Sequence, residues 1–272
     1  MRKEKIFILL IITLLNFRCS AQNVKPIIQG KRYTHEIASK NDNYYFFGGY
    51  YIDPQKKNTI DLKSLEQGIN KKIQDINYSG YVVLDIENKV YQELKSNSKS
   101  HVNYKKNIKC FIDMVILVKT LRPNAKVVVY NVPFKFNSEK QKKYNDFDKL
   151  YPLLKVVDAF TPSLYLHYSD KERKDIFFDN YVKTNLDLNF EYAEKLNKKV
   201  IPFVWYKIHP SNKDYGGTVI NKTQYSDYLN LINDYRYKGK KIEKIIYWEP
   251  AKENIDINMK LIETINILKN HN

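Results

Sequence analysis

Short apolar runs that alternate with longer segments of helical period constrain the fold of this chain more than any other feature. Six such runs are predicted to be strands: YYFFGGYY (44–51), YVVLDIE (81–87), AKVVVYNVP (125–133), DAFTPSLYL (158–166), KVIPFVWY (199–206) and KIIYWEP (244–250). Runs that are apolar at successive positions are typical of parallel strands that are buried on both faces. A further strand near 25–32 would be the seventh.

The segments between the runs carry apolar residues at three- and four-residue steps, which indicates amphipathic helices. One such helix contains Leu62, Leu65 and Ile69, and another ends at Arg122-Pro123, because the residue before a proline disfavours the helical conformation. Further helices are predicted over 139–155, 170–197 and 222–237 and at the C-terminus. We therefore expect an α/β fold, a TIM-like (β/α) barrel of seven or eight strands, with an open doubly wound sheet as the alternative.

The first 21 residues have the pattern of a secretory signal peptide. A basic start precedes the apolar run Ile6–Leu15, and the small residues Cys19 and Ala21 precede a cleavage site before Gln22. We expect an exported protein, periplasmic or extracellular, with one domain over 22–272 and no membrane span in the mature chain. A surface lipoprotein attached through Cys19 is the less favoured alternative.

Basic residues outnumber acidic ones by 46 to 30, a net charge of +16, which favours a polyanionic partner. Nucleic acid is disfavoured because the chain is exported and has no motif for reading bases. Paired lysines, as at 198–199 and 238–241, are typical of a solvated face, so none is assigned to binding.

Neither the histidines nor the cysteines have metal-ligand spacing, and we expect no metal and no cofactor. Only Cys110 remains after cleavage, which excludes an intrachain disulfide. The oligomeric state is left open.

The strongest candidate for chemistry is the pair Asp85 and Glu87, where an otherwise apolar strand ends in acids. In a βα-barrel the reacting groups lie at the carboxyl ends of the strands. Residues two apart on a strand point to the same side, so both carboxyls can face one substrate. Like charges held so close raise one pKa and supply a protonated acid, as glycosidic bond cleavage requires. Alternatively, Asp85 caps the strand end and Glu87 is merely solvated.

The other predicted strand ends supply aromatic residues. Sugar rings stack their C–H faces on aromatic rings, and tyrosine hydroxyls bond to sugar oxygens. The chain has 23 Tyr and 13 Phe, so any single ring could equally belong to the core. The clustering at strand ends favours a carbohydrate site with these substrate-binding residues: Tyr130, Tyr165, Trp205, Tyr206 and Trp248.

The run GYVVLDIENKVYQELK resembles a segment of the hyaluronidases, glycoside hydrolase family 56, in which an apolar strand ends in an aspartate, one residue and a glutamate. The similarity spans about 44–250 in the family's order and includes the helix that ends in Leu-Arg-Pro. It implies a distant bacterial relative without the disulfides, on a TIM-like barrel. The implied activity is a secreted endo-N-acetylhexosaminidase that acts on a polysaccharide or glycosaminoglycan.

The same resemblance implies that Glu87 is the general acid and base and that Asp85 orients the acetamido group of the substrate. The N-acetyl oxygen would attack the anomeric carbon, a substrate-assisted retaining mechanism. Trp248 matches the tryptophan beside the acetamido group. Tyr165 and Trp205 or Tyr206 lie near the family's substrate-contacting tyrosines.

The sequence departs from the family in three places. NKVYQELK replaces a tryptophan-rich stretch after the glutamate, Thr161 stands for a tyrosine and Lys207 for an arginine. These departures leave two alternatives open, a peptidoglycan- or chitin-type glycan hydrolase and a barrel that binds carbohydrate without cleaving it.

Overall fold

The apolar runs of the sequence form parallel strands in the computed structural model, which describes residues 25–29, 43–136, 139–168, 175–248 and 263–268. The strands are β1 (Lys25–Gln29), β2 (Asn43–Phe47), β3 (Tyr81–Leu84), β4 (Lys126–Val129), β5 (Ala159–Phe160), β6 (Lys199–Val200), β7 (Phe203–Val204), β8 (Arg236–Tyr237), β9 (Lys240–Lys241) and β10 (Lys244–Tyr247). The predicted signal peptide, 1–21, lies outside the described residues.

Helices connect most of the strands, as the alternation predicts. They are α1 (Gly49–Ile52), α2 (Leu62–Lys72), α3 (Lys89–Ser96), α4 (Val102–Leu121), α5 (Glu139–Lys142), α6 (Phe147–Leu154), α7 (Asp175–Leu196) and α8 (Lys222–Asp234), with a 3-10 turn at Lys143–Asn145 and a helical segment at 263–268. None of the helices in the described ranges is both long and apolar enough to cross a membrane.

The main sheet has the strand order β4-β3-β2-β1-β10-β7, and every pair in it is parallel. Beyond β4, a parallel bridge joins Tyr130 to Thr161, just after β5, and another joins Ser163 to Phe203 in β7. In the described part of the chain, parallel pairing therefore runs from β1 through β2 and β3 to β4, across the two bridges to β7, and through β10 back to β1. The (β/α) fold is confirmed, and the count of seven or eight strands stays a prediction.

Several of the element predictions differ from the structure: the strand expected over 158–166 covers only Ala159–Phe160, the strand expected over 125–133 covers only Lys126–Val129, and the helix expected over 139–155 is divided by the turn at Lys143–Asn145. Three further differences have a local cause. The run 44–51 is a strand only as far as Phe47, because Gly48 and Gly49 end it and α1 begins there. Helix α8 ends at Asp234 rather than 237, since Arg236 and Tyr237 pair with β9 in a hairpin. The run 199–206 is divided into β6 and β7 at Ile201-Pro202, where proline provides no N–H for a ladder.

The core of the sheet is both aliphatic and aromatic. All four residues of β3 are buried, as expected for a central parallel strand. Tyr44 from β2 meets Phe203 from β7 at 6.5 Å between ring centroids, and Tyr130 meets Phe203 at 5.0 Å. Rings from strands that are distant in sequence therefore fill the space between them.

Two buried side chains fix the segments on either side of β3. Arg122, from the Leu-Arg-Pro motif, donates from Nε to the carbonyl of Ile73 at 2.9 Å and from Nη2 to Asn70 Oδ1 at 3.2 Å, and so closes the C-terminal end of α2. Asp53 accepts from Asn88 Nδ2 at 2.9 Å. The loop after α1 is thereby attached to the start of α3.

Candidate functional site

The two acids lie where β3 ends and α3 begins. The N–H of Asp85 donates to the carbonyl of Phe47 at 2.9 Å, so Asp85 continues the β2–β3 ladder by one residue. Asn88 caps α3, because its side chain accepts from the N–H of Val90 at 3.0 Å. Glu87 is therefore held between a strand end and a helix cap. The structure thus explains why the carboxyl pair is followed by an asparagine.

Asp85 is a protonated acid at neutral pH. Burial raises the pKa of its carboxyl to about 8, and the charge of Glu87 adds to the shift. Its Oδ1 atom is buried and has no hydrogen-bond partner among the described residues. The sequence predicts a raised pKa from the repulsion of two carboxylates. The structure supports the direction of that shift but makes burial the larger cause.

Glu87 is the more exposed of the two acids, and two lysines surround it. Desolvation of its carboxyl raises the pKa of Glu87, while the charges of Lys135 and Lys95 act against that rise. Burial lowers the pKa of Lys135 to about 8, although Glu87 favours its charged form. With Asp85 neutral, the two lysine ammonium groups outnumber the one carboxylate, that of Glu87. Asp85, Glu87, Lys95 and Lys135 together therefore carry an excess of positive charge.

Four of the predicted substrate-binding residues form one aromatic wall with Tyr165 at its centre. The ring of Tyr165 lies 6.2 Å from Tyr130, 5.8 Å from Trp205 and 5.9 Å from Trp248, measured between centroids. Burial raises the pKa of Tyr165 well above its ordinary value, and the neighbouring Tyr130, Tyr44 and Asp85 add to the shift. The wall and the buried acid are thus neighbours. Trp248 is half-buried, whereas the other three rings are buried.

Tyr206 is not one of the rings around Tyr165, although its ring meets Trp205 edge-on at 6.5 Å between centroids. It is buried and stacks on Tyr247 at 6.2 Å with an interplanar angle of 12°. Trp205 and Trp248, the neighbours of these two residues, pair with each other at 4.8 Å. The two tyrosines thus pair with each other, as the two tryptophans do. The substrate-binding role predicted for Tyr206 has no support in this placement and stays a prediction.

The segments beyond the acids add residues that the sequence does not single out as binding groups. Asn131 has a φ of 54°, a left-handed conformation that asparagine tolerates well. Its Nδ2 donates to Tyr91 Oη at 3.0 Å, and its Oδ1 accepts from the N–H of Lys135 at 2.9 Å. Tyr91 and Lys95 are one helical turn apart on α3. That spacing, and the place of Lys135 in the segment that follows β4, are the signals that could have identified them.

Three of the six unpaired buried polar atoms in the described ranges belong to residues that follow the carboxyl ends of strands. Asp85 Oδ1, Trp205 Nε1 and His167 Nε2 are all buried without a hydrogen-bond partner in the described ranges. Native structures satisfy nearly all buried polar groups, so three such atoms at one end of the barrel indicate a surface shaped for a ligand. His167 and its neighbour His209, whose ring is 6.3 Å from Tyr165, were also missed as candidates.

The paired lysines named in the sequence lie elsewhere. Lys199 and Lys240 are near the amino ends of β6 and β10, the opposite end of the barrel from the acids, and line a cavity of about 320 Å³. Lys199 pairs with Glu243 at 2.7 Å, and Lys240 with Glu194 at 4.0 Å. Lys198 donates to the carbonyl of Val157 at 2.7 Å. These contacts are those of a solvated face. No group of three metal-ligating residues occurs among the residues described.

The chain matches no protein-family model, and no curated protein is significantly similar to it in sequence. Solved structures of similar fold include bee venom hyaluronidase, with 19% sequence identity, a TM-score of 0.56, and coverage of 77% of this chain and 75% of the other. A second, bee venom hyaluronidase in complex with a hyaluronic acid tetramer, has 17% identity and a TM-score of 0.60. It covers 86% of this chain and 85% of the other. These likenesses confirm the βα fold.

Proposed function

We propose that this protein is a secreted glycoside hydrolase that cleaves a glycan containing N-acetylhexosamine, with Glu87 as acid and base. One observation carries the proposal. A carboxyl that burial keeps protonated, Asp85, lies beside a second carboxyl at the strand ends, next to an aromatic wall. Glycosidases need a proton for the leaving oxygen and a surface for the sugar ring, and this arrangement supplies both.

The proposed mechanism follows from the proton that the pair holds. Burial raises the pKa of Asp85 to about 8, so Asp85 holds a proton at neutral pH. An acetamido N–H that donates to Asp85 favours the ionised form of that carboxyl and so moves the proton to Glu87. Glu87 then protonates the leaving oxygen, the glycosidic C–O bond breaks, and the N-acetyl oxygen bonds to the anomeric carbon to close an oxazolinium ring. Afterwards Glu87 takes a proton from the water that attacks the anomeric carbon and opens this ring, and the configuration is retained.

The substrate class is proposed from the charge of the site. Lys95 and Lys135 outnumber the ionised carboxylates near Glu87, which suits a glycan with a carboxylate on the neighbouring residue. The complex of bee venom hyaluronidase with a hyaluronic acid tetramer supports a glycan substrate for this fold. We therefore place anionic glycosaminoglycans ahead of the neutral chitin type and of peptidoglycan.

The proposal is tested with purified protein incubated in parallel with hyaluronan, chondroitin, chitin and bacterial cell walls, by measuring new reducing ends. Replacement of Glu87 by Gln should lower cleavage by about 10²–10⁴-fold, the usual contribution of a general acid–base group. The matched control is Glu66→Gln, which makes the same change at an exposed position of α2 and should leave the rate unchanged.

The outcomes separate the alternatives. Undiminished cleavage by the Glu87→Gln protein would reject the catalytic assignment. Binding to one of the four glycans without any product from the unmodified chain would instead favour a carbohydrate-binding barrel. The anomeric configuration of the first product, followed by NMR, tests the retaining mechanism, since an inverted product contradicts attack by the N-acetyl oxygen.

A further inference from the structure

Two histidine rings lie against each other next to the aromatic wall. His167 follows β5 and His209 follows β7, with ring centroids 4.5 Å apart and an interplanar angle of 33°. His209 is 6.3 Å from Tyr165, and the ring of Tyr181 meets His167 edge-on at 5.8 Å. The pair therefore extends the wall at the carboxyl ends of the strands.

One serine determines where the hydrogens of both rings lie. The N–H of Ser211 donates to His209 Nδ1 at 3.1 Å, so this nitrogen carries no hydrogen. Ser211 Oγ is 2.7 Å from the same nitrogen and directs its own hydrogen to it. The oxygen is then left to accept from His167 Nδ1, which is 3.2 Å away. The hydrogen bonds thus place the N–H at Nδ1 of His167 and at Nε2 of His209.

Both rings are uncharged at neutral pH. Burial, with the positive charge of Lys135, lowers the pKa of His167 to about 3 and the pKa of His209 to about 4. The charge of Lys135 also acts on Glu87, so the same lysine influences both the histidine pair and the candidate catalytic acid. His167 Nε2 carries no hydrogen in this tautomer and is a hydrogen-bond acceptor.

This acceptor is not used within the described part of the chain, where His167 Nε2 is buried and has no partner. A buried acceptor without a donor is rare unless a ligand or water supplies one. A metal ion is the weaker reading, because no group of three metal-ligating side chains is found in the described ranges. A hydroxyl group, which donates one hydrogen and can belong to a ring stacked on Tyr165, fits the acceptor better.

We propose that His167 Nε2 accepts a hydrogen bond from a sugar hydroxyl, and that His167, His209 and Ser211 form a glycan-binding subsite next to the cleavage site. This inference rests on the proposed function, since it needs a glycan bound beside Glu87. Ser211 acts as a positioning residue, because its two contacts hold His167 in the tautomer that accepts at Nε2. His167 is a specificity-determining residue that selects for a hydroxyl at this point.

The test uses two substitutions that separate the two nitrogens. In His167→Asn the amide N–H takes the place of Nδ1 and keeps the contact to Ser211, but no atom reaches the position of Nε2. In His167→Gln the amide oxygen reaches that position and can accept. Both are made in the Glu87→Gln protein, so that the ligand is bound without being cleaved.

Binding is followed by tryptophan fluorescence with two probes, a hyaluronan hexasaccharide and an N-acetylglucosamine hexamer. The chain has 2 Trp, and both Trp205 and Trp248 lie in the wall, so the signal reports on the site. We expect the Asn variant to bind about five- to tenfold more weakly, the effect of one hydrogen bond, and the Gln variant to recover most of the loss.

The two proposals fail in different ways. If a probe binds and the Asn variant binds it as well as its parent, the subsite is rejected and the proposed function stands. If neither probe binds the Glu87→Gln protein, the proposed function fails and the subsite fails with it. Nitrogen-15 NMR of the unmodified chain checks the premise without any substitution or ligand, since a hydrogen found on Nε2 of His167 would overturn the inference.

Discussion

Asp85 combines burial with an unpaired oxygen, and its proton makes the stability of the protein depend on pH. In the unfolded chain the carboxyl ionises near pH 3.8, whereas in the folded protein its pKa is about 8. Between these values the folded state holds a proton that the unfolded state releases. Stability should therefore fall as the pH rises through this window, by up to about 1.4 kcal/mol for each pH unit.

The substitution Asp85→Asn removes this proton and tests the argument. As the pH rises from 4 to 8, we expect the free energy of unfolding of the variant to increase relative to that of the unmodified protein. Urea unfolding at pH 4, 6 and 8 measures the difference, with the exposed Asp214→Asn as the matched control. A difference that is the same at all three pH values would show that Asp85 is ionised in the fold.

Lys135 controls the proton affinity of Glu87. The positive charge of Lys135 holds the pKa of Glu87 below the value that desolvation alone would give. In Lys135→Met the pair of acids should keep its proton to higher pH, so the basic limb of the kcat/KM profile should move up by about one pH unit. Lys199→Met, at the other end of the barrel, should not move it. An unshifted limb in the Lys135 variant would show that the lysine does not act on the acids.

At the scale of elements, the Leu-Arg-Pro motif stabilises a helix and takes no part in the chemistry. Arg122 is buried, and its guanidinium donates hydrogen bonds to the carbonyls of Ile73 and Leu121 and to the side chain of Asn70. The compact ammonium group of a lysine lacks the planar fork of the guanidinium and leaves at least one of these acceptors unpaired. We expect Arg122→Lys to lower the free energy of unfolding by about 1–3 kcal/mol, the cost of leaving a buried acceptor unpaired.

The control for this prediction is Arg236→Lys. Arg236 also donates to two main-chain carbonyls, those of Asn233 and Tyr235, but it is exposed and water can replace it. This substitution should lower the free energy of unfolding by no more than about 0.5 kcal/mol. Equal losses at the two positions, measured by denaturant unfolding, would contradict a capping role for Arg122.

The elements that the sequence predicts well are those whose signal is local. A run such as YVVL identifies β3, and the acids that follow it are identified by their place at its end. The division at Ile201-Pro202 and the turn at Gly48 change the ends of elements, which depend on single residues. Element boundaries are for this reason harder to predict than the elements themselves.

At the scale of the whole molecule, the site depends on strands that are distant in sequence. Lys135, His167 and His209 follow three different strands, and only the sequence of parallel neighbours around the barrel brings them to the same end of the barrel as Glu87. No local pattern marks the two histidines, because each is an ordinary polar residue in its own loop. The acid pair could be predicted because both members belong to one strand.

The distribution of charge over the whole molecule also separates two roles of its basic residues. The net charge is +16, yet Lys199 and Lys240 lie at the end opposite the acids. Electrostatic screening acts over about 8 Å at 0.15 M salt and about 30 Å at 0.01 M. At physiological salt a bound anionic glycan should therefore sense Lys95 and Lys135 but not the lysines at the far end.

The last prediction follows from this distance dependence. In the charge-reversed variant Lys199→Glu with Lys240→Glu, kcat/KM for hyaluronan should fall several-fold at 0.01 M salt, because long-range attraction accelerates the encounter with an anionic polymer. At 0.15 M salt the same variant should match the unmodified protein, while Lys135→Met should remain impaired at both concentrations. A neutral N-acetylglucosamine hexamer should show no salt dependence with any of the three proteins. An equal effect of the far lysines at both salt concentrations would mean that the polymer contacts that end of the barrel directly.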